Sequence, residues 1–527
     1  MPAPQERNTR WALWLLLLGA LLYLPNVSVG ELDDEEGRRA IPAREMIASG
    51  RFVLPTVWQE PYLNKPPLFP WTVALASTVT GGVNETATRL PSIVATVLTA
   101  LALFVFARSR GRPRAGGVAG LLYLVSFAVF EKGSFGELDA LFSLFVFASL
   151  ALLATGLERG WGASLLAGLS LGGALLIKGP PAFVFLGAGT LALAWSQRRA
   201  RTLVSPRLWV PIGLGLAIAA SWVALLLVDL PSTVVFERWL YEVSRSGTSS
   251  LAGHLDDRLT FALGVALGFL PSLLVVALAL RSGLRWREDR LASLAGGILV
   301  LSLAFFLLYP GTRARYVYPA LPWSCLAAGL VLDRVLTCEE ATAVLAVRVR
   351  RAAFALLAVL AVAVAAAGYS VVRPIDGIRV GGATGLALVA AGALSVAYGL
   401  RQLARRAPPS TWLLAVFAAL ACARGLQLTQ VVPQSGLRHG RMALAGEINA
   451  MLPSESEVLL HVRGEFNTLF YVDRTLRWIK DPAAAHHGDV LLVDEAYADA
   501  HAELVSGWDV LGRVTLEQHR ALVARVP

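Results

Sequence analysis

The segment LDALFSLFVFASLALLA, residues 138–154, is the clearest indication of the fold class of this chain. Asp139 is its one charged residue, and the other positions are apolar or carry a small hydroxyl. A helix of about 17 to 25 such residues crosses the hydrocarbon core of a bilayer. The segment therefore predicts a membrane-spanning helix with a carboxylate just inside its start.

The composition extends this prediction to the whole chain. Of 527 residues, 16% are charged and 56% are hydrophobic, and the mean hydropathy is +0.59. These values exclude a soluble globular protein and are typical of a large helical bundle in a membrane. Cys325, Cys338 and Cys422 lie in or beside apolar segments, so the sequence indicates no disulfide framework.

Apolar runs of roughly 15 to 22 residues recur along the chain, and about thirteen are candidate spans. They cover residues 11–25, 91–107, 115–130, 138–154, 161–177, 181–195, 208–228, 259–280, 291–308, 317–332, 352–372, 381–400 and 412–428. The first run follows Arg7 and Arg10 but precedes no small-residue cleavage site, so we interpret it as an uncleaved helix.

Arginine predicts the orientation. Alternate loops carry arginine clusters, at residues 108–114, 198–207, 281–290, 348–351 and 401–406. The positive-inside rule places these loops and the N-terminus in the cytoplasm. An odd number of spans then places the C-terminus outside. The net charge of +10 reflects this topology, which is a better explanation than nucleic-acid binding.

The four lysines, in contrast, fall on the predicted external side: Lys65, Lys132, Lys178 and Lys480. Snorkelling to the headgroups explains Lys132, and a solvated surface explains Lys480. Lys65 lies in EPYLNKPPLFPW, residues 60–71, and Lys178 precedes Gly-Pro, so proline fixes the backbone beside both. A fixed cation at the outer interface suits an anionic lipid headgroup.

Other polar residues gather in the predicted external loops. The loop at 28–90 opens with ELDDEEGRRAIPAREM, residues 31–46, which predicts a short helix on the membrane surface. Asp139 is a candidate site residue because charges at such depth face polar cavities, and the alternative is that it caps its helix. The two later loops contribute Glu242 and His254, then Arg313, Arg315 and Tyr316.

The order of these motifs resembles a known family. An acidic motif, REM..SG....P, PY..KPP...W, an Asp at a helix start, KGP and R.RY..P..P follow one another between residues 31 and 322. This order is similar to that of GT-C superfamily glycosyltransferases of families 39 and 83. Those enzymes depend on lipid carriers and are related to protein mannosyltransferases and to the lipid A aminoarabinose transferase.

The resemblance implies a polytopic α-helical membrane protein of GT-C type with a small external α/β domain. It implies that a sugar leaves a polyprenyl (undecaprenyl) phosphate carrier for a lipid or glycan acceptor. The reaction would occur at the outer face of the plasma membrane, the inner membrane of a bacterium. A protein O-mannosyltransferase is the alternative within this class, and a lipid flippase or transporter is the alternative from another class.

The resemblance also implies roles for individual residues. Lys65 and Arg38 would bind the carrier phosphate, with Lys178, Arg313 and Arg315 as further cations. The candidate catalytic carboxylates are Asp139 and either Asp34 or Glu35, because the family's leading Asp aligns with Glu35 while Asp34 is the nearest aspartate. The remaining pocket candidates are Tyr62, Asn64, Glu242, His254 and Tyr316. No nucleotide-sugar site is required, and no cofactor is assigned with certainty.

Asn64 occupies a position that matters for binding of a divalent metal. Relatives of the aminoarabinose type have Glu immediately before the motif lysine, where this chain has Asn64. This difference removes one acidic ligand, so a divalent metal held at this position and by His254 is a disfavoured alternative, and no residues are assigned to a metal site.

The chain divides into a membrane domain, residues 1–430, which includes the external loop 28–90, and a C-terminal domain, residues 431–527. Five short strand-like runs, at 457–463, 469–474, 489–496, 508–514 and 521–526, alternate there with helical stretches at 441–451 and 496–504. They predict a small external α/β domain. His486 and His487 suggest a metal site, but a surface loop beside Gly488 explains them better.

Overall fold

The structure is a computed structural model. It describes residues 4–25, 27–244, 251–282, 288–309, 311–337, 343–375, 378–432, 434, 440–453, 457–462, 464–517 and 519–527. Their contacts divide the chain into two compact units. The first comprises Met1–Val27 and Pro91–Val431, and the second comprises Ser28–Leu90 and Val432–Pro527.

The described elements are mainly helical. The first eleven helices are α1 Pro4–Tyr23, α2 Glu36–Ser49, α3 Leu68–Thr80, α4 Glu85–Ser109, α5 Pro113–Leu124, α6 Phe127–Lys132, α7 Leu138–Arg159, α8 Trp161–Lys178, α9 Pro181–Gln197, α10 Pro206–Asp229 and α11 Ser232–Ser244. The others are α12 Leu251–Gly268, α13 Ser272–Arg281, α14 Arg290–Leu308, α15 Leu321–Leu336, α16 Ala343–Val372, α17 Gly382–Ala404, α18 Pro409–Leu426, α19 Arg441–Met451, α20 Phe466–Phe470, α21 Glu495–Ala500 and α22 Ala502–Val505. The strands are β1 Thr56–Val57, β2 Glu60–Pro61, β3 Val458–Leu460, β4 Leu476–Trp478, β5 Val490–Asp494, β6 Asp509–Thr515 and β7 Arg520–Arg525.

The first unit is a helical membrane bundle. Among the described residues, nine helices are long and apolar enough to cross a membrane, or ten if one bent pair forms a single span. They are Glu85–Ser109, Leu138–Arg159, Trp161–Lys178, Pro206–Asp229, Arg290–Leu308, Ala314–Leu336, Ala343–Val372, Gly382–Ala404 and Pro409–Val431. The prediction of a polytopic α-helical membrane protein is confirmed.

Each of the thirteen predicted runs is helical, but four of them are not continuous spans of full length. The run 259–280 is the bent pair, whose halves meet at 98°. The run 11–25 belongs to a shorter apolar helix, Thr9–Tyr23, and the run 181–195 forms α9, which has 17 residues. The run 115–130 is broken between α5 and α6, where Ser126 Oγ donates to Leu122 O and Phe127 N donates to Leu270 O. Its apolar composition could not reveal this break.

Close helix packing brings the end of α8 to the start of α7. A Cβ on Gly156 of α7 would lie 2.2 Å from Ser164 Oγ, and one on Gly173 of α8 would lie 2.3 Å from the Phe145 ring. Small residues at such contacts let membrane helices approach closely. Because α7 and α8 run in opposite directions after the turn at Gly160, Lys178 reaches Asp139.

The second unit is an α/β domain. Its five-stranded sheet has the order β4-β3-β5-β7-β6, with β3 parallel to β4 and β5 and the other neighbours antiparallel. The predicted strand at 469–474 is wrong. Its beginning belongs to α20, where Leu469 and Phe470 are buried, and the next strand begins at Leu476.

Helix α2 differs from the expected surface helix. It buries Arg39, Ala40, Ile41 and Met46, and Ile41 belongs to the same apolar cluster as Leu469 of α20 and Leu460 of β3. A Cβ on Gly37 would meet Phe466 O at 2.6 Å, so glycine permits this close approach. Helix α2, which follows the acidic motif, is therefore part of the core of the second unit.

Candidate functional site

The first candidate cluster lies in the helical unit and centres on Asp139. Lys178 Nζ lies 2.6 Å from Asp139 Oδ1, and the two side chains are 10% and 6% exposed. The N-cap residue of α7 is Glu137, whose side chain forms no capping hydrogen bond. Since the contact described for Asp139 is the ammonium group, the structure favours an ion pair over the capping role.

A second ion pair adjoins the first. Lys132 Nζ lies 2.9 Å from Glu137 Oε1, with both side chains buried. Lys132 therefore does not extend to the headgroups, as snorkelling would require. Lys132 and Arg315 also interact favourably with the Asp139 carboxylate.

Two aromatic rings lie close to the Lys178 ammonium group. Its Nζ lies 5.5 Å from the centre of the Phe142 ring and 5.4 Å from that of Tyr316, distances at which a cation is attracted to a ring face. Arg315 is half-buried in the same segment, Ala314–Ala320, whereas Arg313 is exposed.

The cluster around Asp139 combines three cations with three carboxylates. The cations are Lys132, Lys178 and Arg315, and the carboxylates are Asp139, Glu137 and Glu131. Glu131 Oε1 lies 3.4 Å from Lys132 Nζ, and its side chain is 70% exposed. The cations in this poorly hydrated setting can stabilise an anionic group such as a phosphate.

The second candidate cluster lies in the α/β unit around Glu35. Arg39 donates to Glu35 Oε2 at 2.8 Å, and Arg38 lies 3.5 Å from the same oxygen. Arg39 also donates to the Tyr62 hydroxyl at 2.6 Å. The Arg38 guanidinium lies over the rings of Tyr62 and Phe466, at 5.8 and 5.0 Å from their centres.

The two candidates for the leading carboxylate differ in setting. Glu35 is the N-cap residue of α2 and is half-buried against the two guanidinium groups. Asp34 is exposed and has φ of +47°, and its backbone oxygen accepts from Asn467 Nδ2 at 2.9 Å. Glu35 therefore has the charge partners that a functional carboxylate needs, and both remain candidates.

Lys65 lies between β2 and α3 in the same unit. Its Nζ donates to the backbone oxygen of Asn64 at 2.9 Å, and both residues are half-buried. Pro66 and Pro67 follow, and Pro67 is the N-cap of α3. The prolines restrict the backbone beside the ammonium, as the sequence predicted.

The hairpin before Lys65 is held by Glu45. Trp58 and Gln59 both have positive φ, of 56° and 63°, which non-glycine residues rarely adopt. Glu45 accepts from Trp58 N at 2.7 Å, from Gln59 N at 3.2 Å and from the Thr56 hydroxyl at 2.5 Å. This carboxylate therefore stabilises the strained turn that leads into the lysine motif.

Sequence reasoning missed several charged partners. Arg89 makes a two-point contact with buried Glu36, at 2.8 Å from each carboxylate oxygen. Arg39, four residues after Glu35, could have been found from helical spacing. Glu36 and Arg89 are far apart in sequence, and no local pattern signals their pairing. The side chains of Glu242 and His254 lie outside the described part of the structure.

Comparisons with known proteins agree with this fold. A family model described as dolichyl-phosphate-mannose-protein mannosyltransferase matches residues 64–224. The undecaprenyl phosphate-alpha-4-amino-4-deoxy-L-arabinose arabinosyl transferase of Edwardsiella ictaluri is 31% identical over 328 residues. The alignment covers 60% of this chain and 56% of that relative, so the chain matches little more than half of its relative's length.

Solved structures extend the likeness to nearly the whole chain. ArnT from Cupriavidus metallidurans in the apo state matches with a TM-score of 0.72 at 19% identity, over 98% of both chains. The same protein bound to undecaprenyl phosphate matches with a TM-score of 0.71 at 19% identity, over 99% of both chains. The chain is a multi-span membrane protein with the GT-C fold. Within that class it resembles the aminoarabinose transferases.

Proposed function

We propose that this protein transfers a sugar from a polyprenyl phosphate carrier to a lipid or glycan acceptor. The observation that carries the proposal is that the family-matched stretch, residues 64–224, contains Lys65, Asp139 and Lys178. The likeness to ArnT bound to undecaprenyl phosphate adds support, because it extends over nearly the whole chain. Undecaprenyl phosphate-linked 4-amino-4-deoxy-L-arabinose is the first donor to test, since it gives the curated relatives their name.

The reaction requires a base and cations. A carboxylate takes the proton of the acceptor hydroxyl, whose oxygen attacks the anomeric carbon of the sugar. The bond from that carbon to the phosphate oxygen breaks, and polyprenyl phosphate leaves with the electron pair. Cationic side chains stabilise the charge that develops on the phosphate.

We assign these roles to the residues that the sequence motifs indicate. Lys65 and Arg38 bind the carrier phosphate, with Lys178, Arg313 and Arg315 as further cations. Asp139 and either Glu35 or Asp34 supply the carboxylates. Tyr62, Asn64 and Tyr316 contact the substrate, as do Glu242 and His254. No cofactor enters this proposal.

The proposed orientation places the N-terminus in the cytoplasm and the C-terminus outside the bacterial inner membrane, with the reaction at the outer face. The arginine clusters support it through the positive-inside rule. Reporter fusions at residues 198–207 and at the C-terminus test it. A reporter that is active only in the periplasm and is active at residues 198–207 would show that the orientation is the reverse of the proposed one.

Protein O-mannosyl transfer is the second candidate, and the description of the matching family model favours it. The two candidate functions are distinguished by an assay in which the protein is reconstituted with a donor labelled in its sugar and with a crude envelope extract. Label recovered in a lipid or glycan product that is distinct from the unreacted donor supports the first proposal, whereas label in the protein fraction supports the second. Labelled carrier that crosses the bilayer without losing its sugar would overturn both in favour of a flippase.

A further inference from the structure

Arg424, near the end of α18, is a buried cation with an unusual environment. Its side chain is fully buried, and the described part of the chain places no carboxylate in contact with it. Its guanidinium lies over the rings of Tyr23 and Phe130, at 4.7 and 5.2 Å from their centres. A buried cation inside a membrane segment is expensive, and an apolar residue would serve packing alone at a lower cost.

Two of the three hydrogen bonds of Arg424 go to the segment in which α6 ends and the next loop begins. It donates to the backbone oxygen of Phe130, to Ser134 Oγ at 2.7 Å and to Gln427 Oε1 at 2.9 Å. Phe130 and Ser134 flank the end of α6 and the start of the loop at residues 133–137. The planar guanidinium group can reach these separate acceptors simultaneously because its donors are fixed in a fork.

Helix α4 also contacts this loop, through two hydrogen bonds from its side chains. Thr96 Oγ1 donates to Gly133 O at 3.1 Å, and Ser92 Oγ donates to Glu137 O at 2.8 Å. The loop therefore has anchors at both ends, and the anchors at its start come from Arg424 and Thr96. Because Asp139 follows Glu137 by two residues, the conformation of the loop sets where its carboxylate lies.

We propose that Arg424 is a positioning residue that fixes the loop 133–137 and so keeps Asp139 and the Lys132–Glu137 pair in place. This inference rests on the proposed function for its effect on turnover, although its structural part can be tested without it. Arg424 lies beyond the family motifs, which end at residue 322, so those motifs did not identify it. It acts through the loop rather than on the substrate.

The test compares Arg424→Gln and Arg424→Lys with Thr429→Val, in wild-type and Asp139→Asn backgrounds. Thr429 donates to Gly425 O within its own helical turn, so its substitution controls for disturbance of the helix end. Arg424→Lys retains the charge but loses the fork, which keeps the test usable if Arg424→Gln does not fold. Hydrogen exchange of peptides covering residues 127–138 measures the loop, and donor consumption gives kcat and KM.

The proposal expects faster hydrogen exchange in residues 127–138 for both Arg424 variants. It expects no change in exchange for Thr429→Val. It expects kcat to fall by about 10²-fold for Arg424→Gln, the effect of misplacing a reacting group by about 1 Å, with the donor KM unchanged. In the Asp139→Asn background the same substitution should change kcat by less than about 2-fold. The proposal would be overturned if hydrogen exchange were unchanged in the Arg424 variants. It would also be overturned if Arg424→Gln lowered kcat equally in the wild-type and Asp139→Asn backgrounds. If the wild type consumes no donor, the proposed function fails, and the exchange result alone decides this inference.

Discussion

Lys178 Nζ and Asp139 Oδ1 lie 2.6 Å apart in a buried ion pair, although 39 residues separate them in the chain. The lysine ends one membrane helix and the aspartate begins the preceding one. The turn between the two helices and the glycines at their contact make this meeting possible. The pair links the two residues that the sequence had assigned to different roles.

Removing one partner of this pair should cost more stability than removing both. We expect Lys178→Met to lower the free energy of unfolding by about 3 to 5 kcal/mol, because it leaves the Asp139 carboxylate buried without its ammonium. The double variant with Asp139→Asn should recover most of this loss. Thermal unfolding in detergent measures both. Losses that simply add would show that the two side chains do not interact in solution.

Asp139→Asn alone should leave the protein folded but slow. The amide keeps the shape of the carboxylate and loses its charge, so we expect kcat to fall by about 10² to 10⁴-fold, the usual contribution of a general base. Turnover of the reconstituted variant, with its melting temperature as the folding control, checks this. Full activity would restrict Asp139 to a structural role.

Glu45 should make stability depend on pH in a distinctive direction. Burial raises the pKa of this carboxyl, against the opposing effects of the Thr56 hydroxyl and of the Gln59 and Trp58 amides. Because the folded-state pKa exceeds the unfolded one, the folded chain binds the proton more tightly. The stability that this group contributes is present below the ordinary glutamate pKa of about 4.3 and is lost as the pH rises through the raised value.

Glu45→Gln isolates this effect, since glutamine imitates the protonated acid. The melting temperature of the wild type relative to that of the variant should fall as the pH rises through this window. A constant difference across the window would contradict the assigned direction.

Arg441 should be important for stability of the α/β unit. It is buried and contacts Asp33 at 2.8 Å, Leu32 O at 2.6 Å and Glu517. Burial would lower its pKa, yet the hydrogen bonds and charges of Glu517 and Asp33 raise it overall. We expect Arg441→Met to destabilise the protein by about 1 to 3 kcal/mol, because Leu32 O and two partly exposed carboxylates lose their buried donor.

Arg513→Met is the matched control for Arg441→Met. Arg513 is 73% exposed and lies 3.4 Å from Glu495, and such surface pairs contribute about 0 to 1 kcal/mol. Chemical denaturation of the two variants should therefore give clearly different midpoints. Similar midpoints would mean that the Arg441 contacts contribute little.

The sequence predicted the helical membrane fold because apolar runs have a length that the bilayer imposes. It could not predict the break between α5 and α6, since apolar composition continues through Ser126. It placed Asp139 near a helix start correctly, because that position is local. It did not predict the partner of Asp139, which depends on the packing of α7 against α8.

The α/β unit shows the same limit. The sequence treated residues 28–90 as an external loop of the membrane domain, whereas their contacts place them with Val432–Pro527 in one compact unit. The contacts responsible are nonlocal, for example the 2.8 Å hydrogen bond from Gly37 N to Asn467 Oδ1. A local pattern carries no information about such pairing.

Sugar transfer from a polyprenyl phosphate carrier is tested by donor consumption in proteoliposomes, with a panel of polyprenyl phosphate sugars and mass spectrometry of the products. Wild type, Lys65→Ala and Lys480→Ala are compared after folding is checked separately, because Lys480 is an exposed lysine in the same unit. We predict that wild type and Lys480→Ala release carrier phosphate from one donor and that Lys65→Ala does not. Equal release by all three variants would contradict the phosphate-binding role of Lys65. No release from any donor, even with envelope extract as acceptor, would contradict the transferase assignment itself.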